Sequence, residues 1–83
     1  MNHRLKIDPY YFAEVLAGRK TFEVRLNDRN FLHRDTIELH EWAQGKYTGR
    51  FVMAKITFLM CGGHYGISPE YVVFSFKITN TFP

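Results

Sequence analysis

From Arg50 to Met60 the chain alternates, with Val52, Ala54, Ile56, Phe58 and Met60 on one parity. A period of two over such a length suits a strand that buries one face and excludes a helix, whose apolar positions recur every three to four residues. Shorter runs repeat it. Leu5 and Ile7 alternate with Arg4 and Lys6, Phe22, Val24 and Leu26 with Thr21, Glu23 and Arg25, and Ile37 and Leu39 with Thr36, Glu38 and His40 up to Trp42. A last run from Tyr71 to Thr79 places Val72, Phe74, Phe76 and Ile78 on the buried parity. Gln44-Gly45 supplies hairpin chemistry before the long strand. One window obeys the other period: Phe12, Val15 and Leu16 fall at i, i+3, i+4 between Asp8-Pro9 and Gly18. Asp8 suits an N-cap, Pro9 the first helical position and Gly18 the left-handed stop, so a helix is expected from about Pro9 to Ala17. A mainly β, α+β fold follows: five to six strands curled into a small barrel, with the N-terminal helix over one opening.

Length sets the scale. Eighty-three residues suit a single domain over 1–83, and 46% hydrophobic with 23% charged residues builds a core without a metal or a disulfide framework. Only a shallow cleft is expected in so small a body. The lone cysteine, Cys61, suits a reducing setting. No apolar run approaches the roughly 20 residues of a membrane span, and Met1-Asn2-His3-Arg4 lacks a leader's apolar stretch, so a cytoplasmic protein without a membrane partner is expected.

Charge is unevenly placed. The net value is only +3, but Arg19, Lys20, Arg25, Arg29 and Arg34 stand against Glu23 and Asp28 in one segment, with His33 beside them. That segment favours an anionic partner. Elsewhere the signals are thin. Cys61-Gly62-Gly63-His64 offers two ligands at most, so no metal and no cofactor is expected, and the following Gly66 marks a flexible connection that can border the cleft. His3, His33 and His40 are scattered and read as surface or strand residues.

The octet Gly18-Arg19-Lys20-Thr21-Phe22-Glu23-Val24-Arg25 fits Gly-x-Lys-x-x-Glu-x-Arg. It resembles the signature of the ASCH family, the activating signal cointegrator homology domains of the PUA-like group of RNA-associated β-barrels. Asp8-Pro9-Tyr10-Tyr11-Phe12, Asn27-Asp28-Arg29-Asn30-Phe31, Leu39-His40-Glu41-Trp42, Tyr47-Thr48-Gly49-Arg50, Ile56-Thr57 and Tyr71-Val72-Val73 extend the likeness to a small bacterial and prophage subfamily. The resemblance implies a barrel with its helix over a cleft lined by the signature. One position departs: Arg34 precedes Asp35 where such relatives carry glycine.

Glu23 and Arg25, two apart on a strand, leave by one face, and Phe22 and Val24 are expected to point inward from the other. Lys20 is placed in the preceding turn, within reach of Glu23. This set, with Arg19, Thr21 and Arg29 alongside, is the expected site for RNA or a nucleotide, single-stranded or modified. Lys46 and Arg50 are additional candidate cations, and Trp42 and Tyr47 candidate stacking residues. The only charge within the predicted helix is Glu14, which argues against reading duplex DNA through a major groove. Two other classes stand beside this one. A protein-interaction adaptor needs no such site. Some ASCH relatives hydrolyse acetylated cytidine and others are associated with ribonuclease activity, and Lys20 and Glu23 would carry such chemistry here. Glu23, however, stands where the amidohydrolases have threonine.

Overall fold

The computed structural model describes residues 1–83. The chain runs β1 (Asn2–Ile7), α1 (Pro9–Leu16), β2 (Phe22–Leu26), β3 (Thr36–Ala43), β4 (Lys46–Cys61) and β5 (Tyr71–Phe82). Five strands form one sheet in the order β1-β3-β4-β5-β2, parallel only between β1 and β3. The sheet curls into a half-barrel with one short helix against its inner side. This agrees with the mainly β expectation. No helix is long and apolar enough to cross a membrane.

The core collects one parity from each of four strands. Leu5 and Ile7 of β1, Ile37 and Leu39 of β3, Val52, Ala54 and Ile56 of β4, and Val72, Phe74 and Phe76 of β5 are buried, and α1 seals them with Phe12 and Val15. The helix ends one residue earlier than expected, at Leu16. Gly18 then turns left-handed at φ 78°, and the Arg19 and Lys20 N–H groups both return to the Glu14 carbonyl. That wrap delivers Lys20 to the start of β2.

Two expectations need correction. Asp8 does not cap the helix through its side chain and instead lines a cavity, although Pro9 does occupy the first turn. The parity of β4 also fails beyond Ile56. The register slips between Ile56 and Phe58, a β-bulge that turns Phe58 out to solvent and lets Leu59 pack against the core. An inserted residue reverses every side chain after it, which composition alone does not reveal.

The turns follow their sequence signals. Gln44 and Gly45 both have positive φ, as a two-residue hairpin of type I′ requires. Arg34, at the position that departs from the resembled pattern, sits left-handed at φ 69°, so a side chain occupies a conformation that favours glycine.

The two edge strands, β1 and β2, face each other across a seam with no backbone ladder between them. Arginines bridge it. Arg25 Nη2 donates to the Lys6 carbonyl at 2.7 Å, and Arg29 Nη1 to the Arg4 carbonyl at 2.8 Å. Those oxygens lie two residues apart on an edge strand, where alternate backbone groups lack a ladder partner.

Candidate functional site

Strand β2 holds the central side chain. Glu23 is only 4% exposed, while Phe22, Val24 and Leu26 are each about half exposed at 48%, 51% and 47%. The expected facing is therefore inverted: the apolar parity looks out and the charged parity looks in. The physical reason is what each face meets. The inner side of β2 fronts the gap between sheet and helix, and Glu23 finds two cations there. Lys20 Nζ donates to its Oε1, and Arg25 Nε donates to its Oε2 at 2.7 Å. A buried carboxylate with both oxygens bonded avoids the desolvation penalty an orphan would suffer.

The surrounding contacts fix the cations. Lys20 Nζ also donates to the Phe22 carbonyl at 2.7 Å and lies 5.5 Å from the Tyr11 ring centre and 5.1 Å from that of Phe22. Arg25 is anchored at its far end by the Lys6 carbonyl. Asp8, Tyr11, Lys20, Phe22, Glu23, Val24 and Arg25 line a cavity of about 460 Å³. Two aromatic rings and a polar floor thus bound one open cleft.

Its charge is balanced. Lys20 and Arg25 face Glu23 and Asp8, so the cleft is not a purely cationic anion trap. By donor inventory, an ammonium has three N–H groups and a guanidinium five; with two used on each, Lys20 keeps one and Arg25 keeps three. Asp8 supplies acceptors. Donors and acceptors between rings suit a planar polar guest better than a bare anion. Asp8 and Tyr11 were not among the expected site residues, and Phe22 and Val24, expected in the core, border the cleft instead. The i, i+3 spacing of Asp8 and Tyr11 at the helix start was the available signal.

The remaining predicted residues sit elsewhere. Arg19 is exposed and pairs with Glu14, whose hydrogen bond and charge raise the guanidinium's pKa above its ordinary value. The Thr21 carbonyl accepts the Phe76 N–H at 3.1 Å, and neither Arg19 nor Thr21 lines the cavity. Arg29 belongs to a smaller cavity of about 170 Å³ with Leu5, Arg25, Leu26, Asp28 and Phe31. Arg25 alone lines both. Arg50 lies 3.5 Å from the buried Glu41 and over the Phe12 ring, while Lys46 is exposed on the hairpin. The Gly62–Glu70 connection does not border the cleft. Cys61 is exposed and His64 packs edge-on against Tyr65.

Two histidines read as surface or strand residues are buried on their strands. His3 donates to Asp35 at 2.8 Å, and His40 stacks on Phe51 with Nε2 2.8 Å from Glu38. Burial alone would raise the Asp35 carboxyl, but bonds from His3, the Met1 ammonium and the Leu32 N–H outweigh it and hold it at about 2. Glu38 is lowered by the hydrogen bond from His40 and then by that from Asn2.

Fold and cleft define a class: a small half-barrel whose seam carries a buried carboxylate clasped by lysine and arginine. Residues 2–76 match the family described as a domain of unknown function, DUF3850, and the chain belongs to that family. It is also similar to a protein of Escherichia phage P2, named "Uncharacterized 12.9 kDa protein in GpA 3'region", with 51% identity over 55 residues. The match covers 66% of this chain and 50% of the phage protein, so it spans about half that relative's length.

Proposed function

We propose that this is an RNA- or nucleotide-binding domain of the ASCH, PUA-like type, holding a single-stranded or modified nucleotide in the cleft of Lys20, Glu23 and Arg25. The supporting observation is the buried Glu23 that orients a lysine and an arginine beneath two aromatic walls. Glu23 holds both cations in place, so their spare N–H groups are aimed before a guest arrives, which lowers the ordering cost of binding. A base edge meets the free donors of Arg25 and Lys20 and the acceptors of Asp8, with its ring against Tyr11 or Phe22. Lys20 as an ammonium with two acceptors is a donor and not a nucleophile, which favours recognition over hydrolysis.

The test is equilibrium binding to a mixed pool of RNA and modified nucleosides, followed by identification of what is retained. Affinity is expected to fall as salt rises and to drop about tenfold in Lys20→Ala or Arg25→Ala. Absence of binding at low salt overturns the proposal. Turnover of acetylated cytidine that Lys20→Ala abolishes would replace it with the hydrolytic reading.

A further inference from the structure

We infer that the outer face of β1, β3 and the start of β4 takes nucleotides flanking the one in the cleft, so that the ligand is a single strand and not a free mononucleotide. This rests on the cleft being a nucleotide site. Alternation that buries Leu5 and Ile7 sends Arg4 and Lys6 to the opposite face. There Lys6 Nζ lies 3.9 Å from the centre of the Trp42 ring and 6.0 Å from that of Tyr47, and Arg4 lies 5.3 Å from the latter. The two rings meet edge to face at 4.7 Å across the β3–β4 hairpin.

Tyr47 is buttressed along the same face. Tyr47 abuts His40, which stacks on Phe51 at 4.4 Å, and Phe51 stacks on Phe82 at the same spacing. A platform fixed in this way loses little side-chain freedom when a base settles on it. Its charge is one-sided. Arg4 and Lys6 oppose Glu38, whose oxygens are already bonded to His40 and Asn2. Cations beside a half-buried indole and the exposed ring of Tyr47 match a partner that alternates phosphates with unpaired bases. An acidic peptide would leave the rings idle.

Continuity with the cleft is structural. The strand that presents Arg4 and Lys6 outward offers their carbonyls to Arg29 and Arg25, and Arg25 is a wall of the cleft. The two regions meet at the β1 edge, the cleft on the inner side and the rings on the outer. A phosphate that captures Lys6 draws its ammonium off Trp42 and exposes the indole face. A base stacked on the indole then replaces the cation contact, while the phosphate keeps the ammonium paired.

Trp42 is the chain's single tryptophan, so its fluorescence reports on this face. The full chain is titrated with uridine monophosphate, with oligouridylate of about eight nucleotides and with inorganic polyphosphate. The oligomer is expected to quench Trp42 and to bind at least about tenfold more tightly than the monophosphate. Arg4→Ala and Lys6→Ala are each expected to weaken oligomer binding several times more than monophosphate binding. Each should lower the slope of log affinity against log salt by about 0.7. Equal affinity for monomer and oligomer, or an unmoved Trp42 signal with oligomer bound, overturns the inference and leaves the cleft reading intact. Polyphosphate quenching as strongly as the oligomer also overturns it, since no base is then on the ring. Quenching by oligomer with affinity unchanged in Lys20→Ala and Arg25→Ala removes the cleft from the path, and the inference falls together with the cleft reading.

Discussion

β1 and β2 are both short, alternating edge strands, yet they turn opposite parities to the interior. In β1 the apolar residues Leu5 and Ile7 enter the core and Arg4 and Lys6 face solvent. In β2 Phe22, Val24 and Leu26 face outward, and Glu23 and Arg25 turn in. The neighbours make the difference. β1 lies beside β3 under the helix, where Leu5 and Ile7 join a mainly apolar interior, whereas the inner side of β2 borders an open cleft in which a carboxylate finds two cations. Each edge nevertheless carries one buried carboxylate clasp: Asp35 on His3 of β1, and Glu23 on Lys20 and Arg25 at β2.

The contrast breaks first at Leu5. Leu5→Ala leaves a hole in the core and is expected to cost about 3 kcal/mol in urea unfolding. Next is Glu23→Gln, which leaves both cations half-paired and is expected to cost about 2 kcal/mol, less than a fully buried pair because the cleft admits water. An effect as small as at an exposed site would return β2 to the facing its sequence suggests. The Asp35 clasp then shows in acid. Its folded pKa of about 2 lies below the ordinary 3.8, so its contribution is complete above about pH 4 and is lost as pH falls through about 2. About 1–2 kcal/mol of acid sensitivity is expected there, and Asp35→Asn should flatten that window in pH-dependent denaturation. Val24→Thr comes last. Although its residue has the same apolar character as Leu5, the change is expected to move stability by less than about 0.5 kcal/mol, and a loss near that of Leu5→Ala would show that β2 is covered after all.

These two strands also mark how far the sequence could be read. Alternation identified all five strands, and the i, i+3, i+4 stripe of Phe12, Val15 and Leu16 identified the helix, because those periods follow from backbone geometry. Alternation names the residues that share a face but not the face that is buried, so Phe22 and Glu23 were assigned the wrong way round. The bulge at Ile56 escaped for a related reason: an extra residue leaves composition untouched and is recognised only through the partner strand. At the site, the spacing of Lys20, Glu23 and Arg25 was legible because all three lie within one turn and strand. Asp8 and Tyr11 were not, since they reach the cleft only through the docking of α1. The platform of Lys6, Trp42 and Tyr47 was hidden further still, assembled by a parallel β1–β3 pairing between segments about 30 residues apart.

The arginine bridges between β1 and β2 have a mechanical consequence. A joint made of two side-chain bonds parts more easily than one made of a peptide ladder, so this line opens before any other part of the sheet and its amides exchange soonest with deuterium. Any guest that draws Arg25 Nη2 away from Lys6 competes with that closure, so occupancy and the width of the opening are two readings of a single balance.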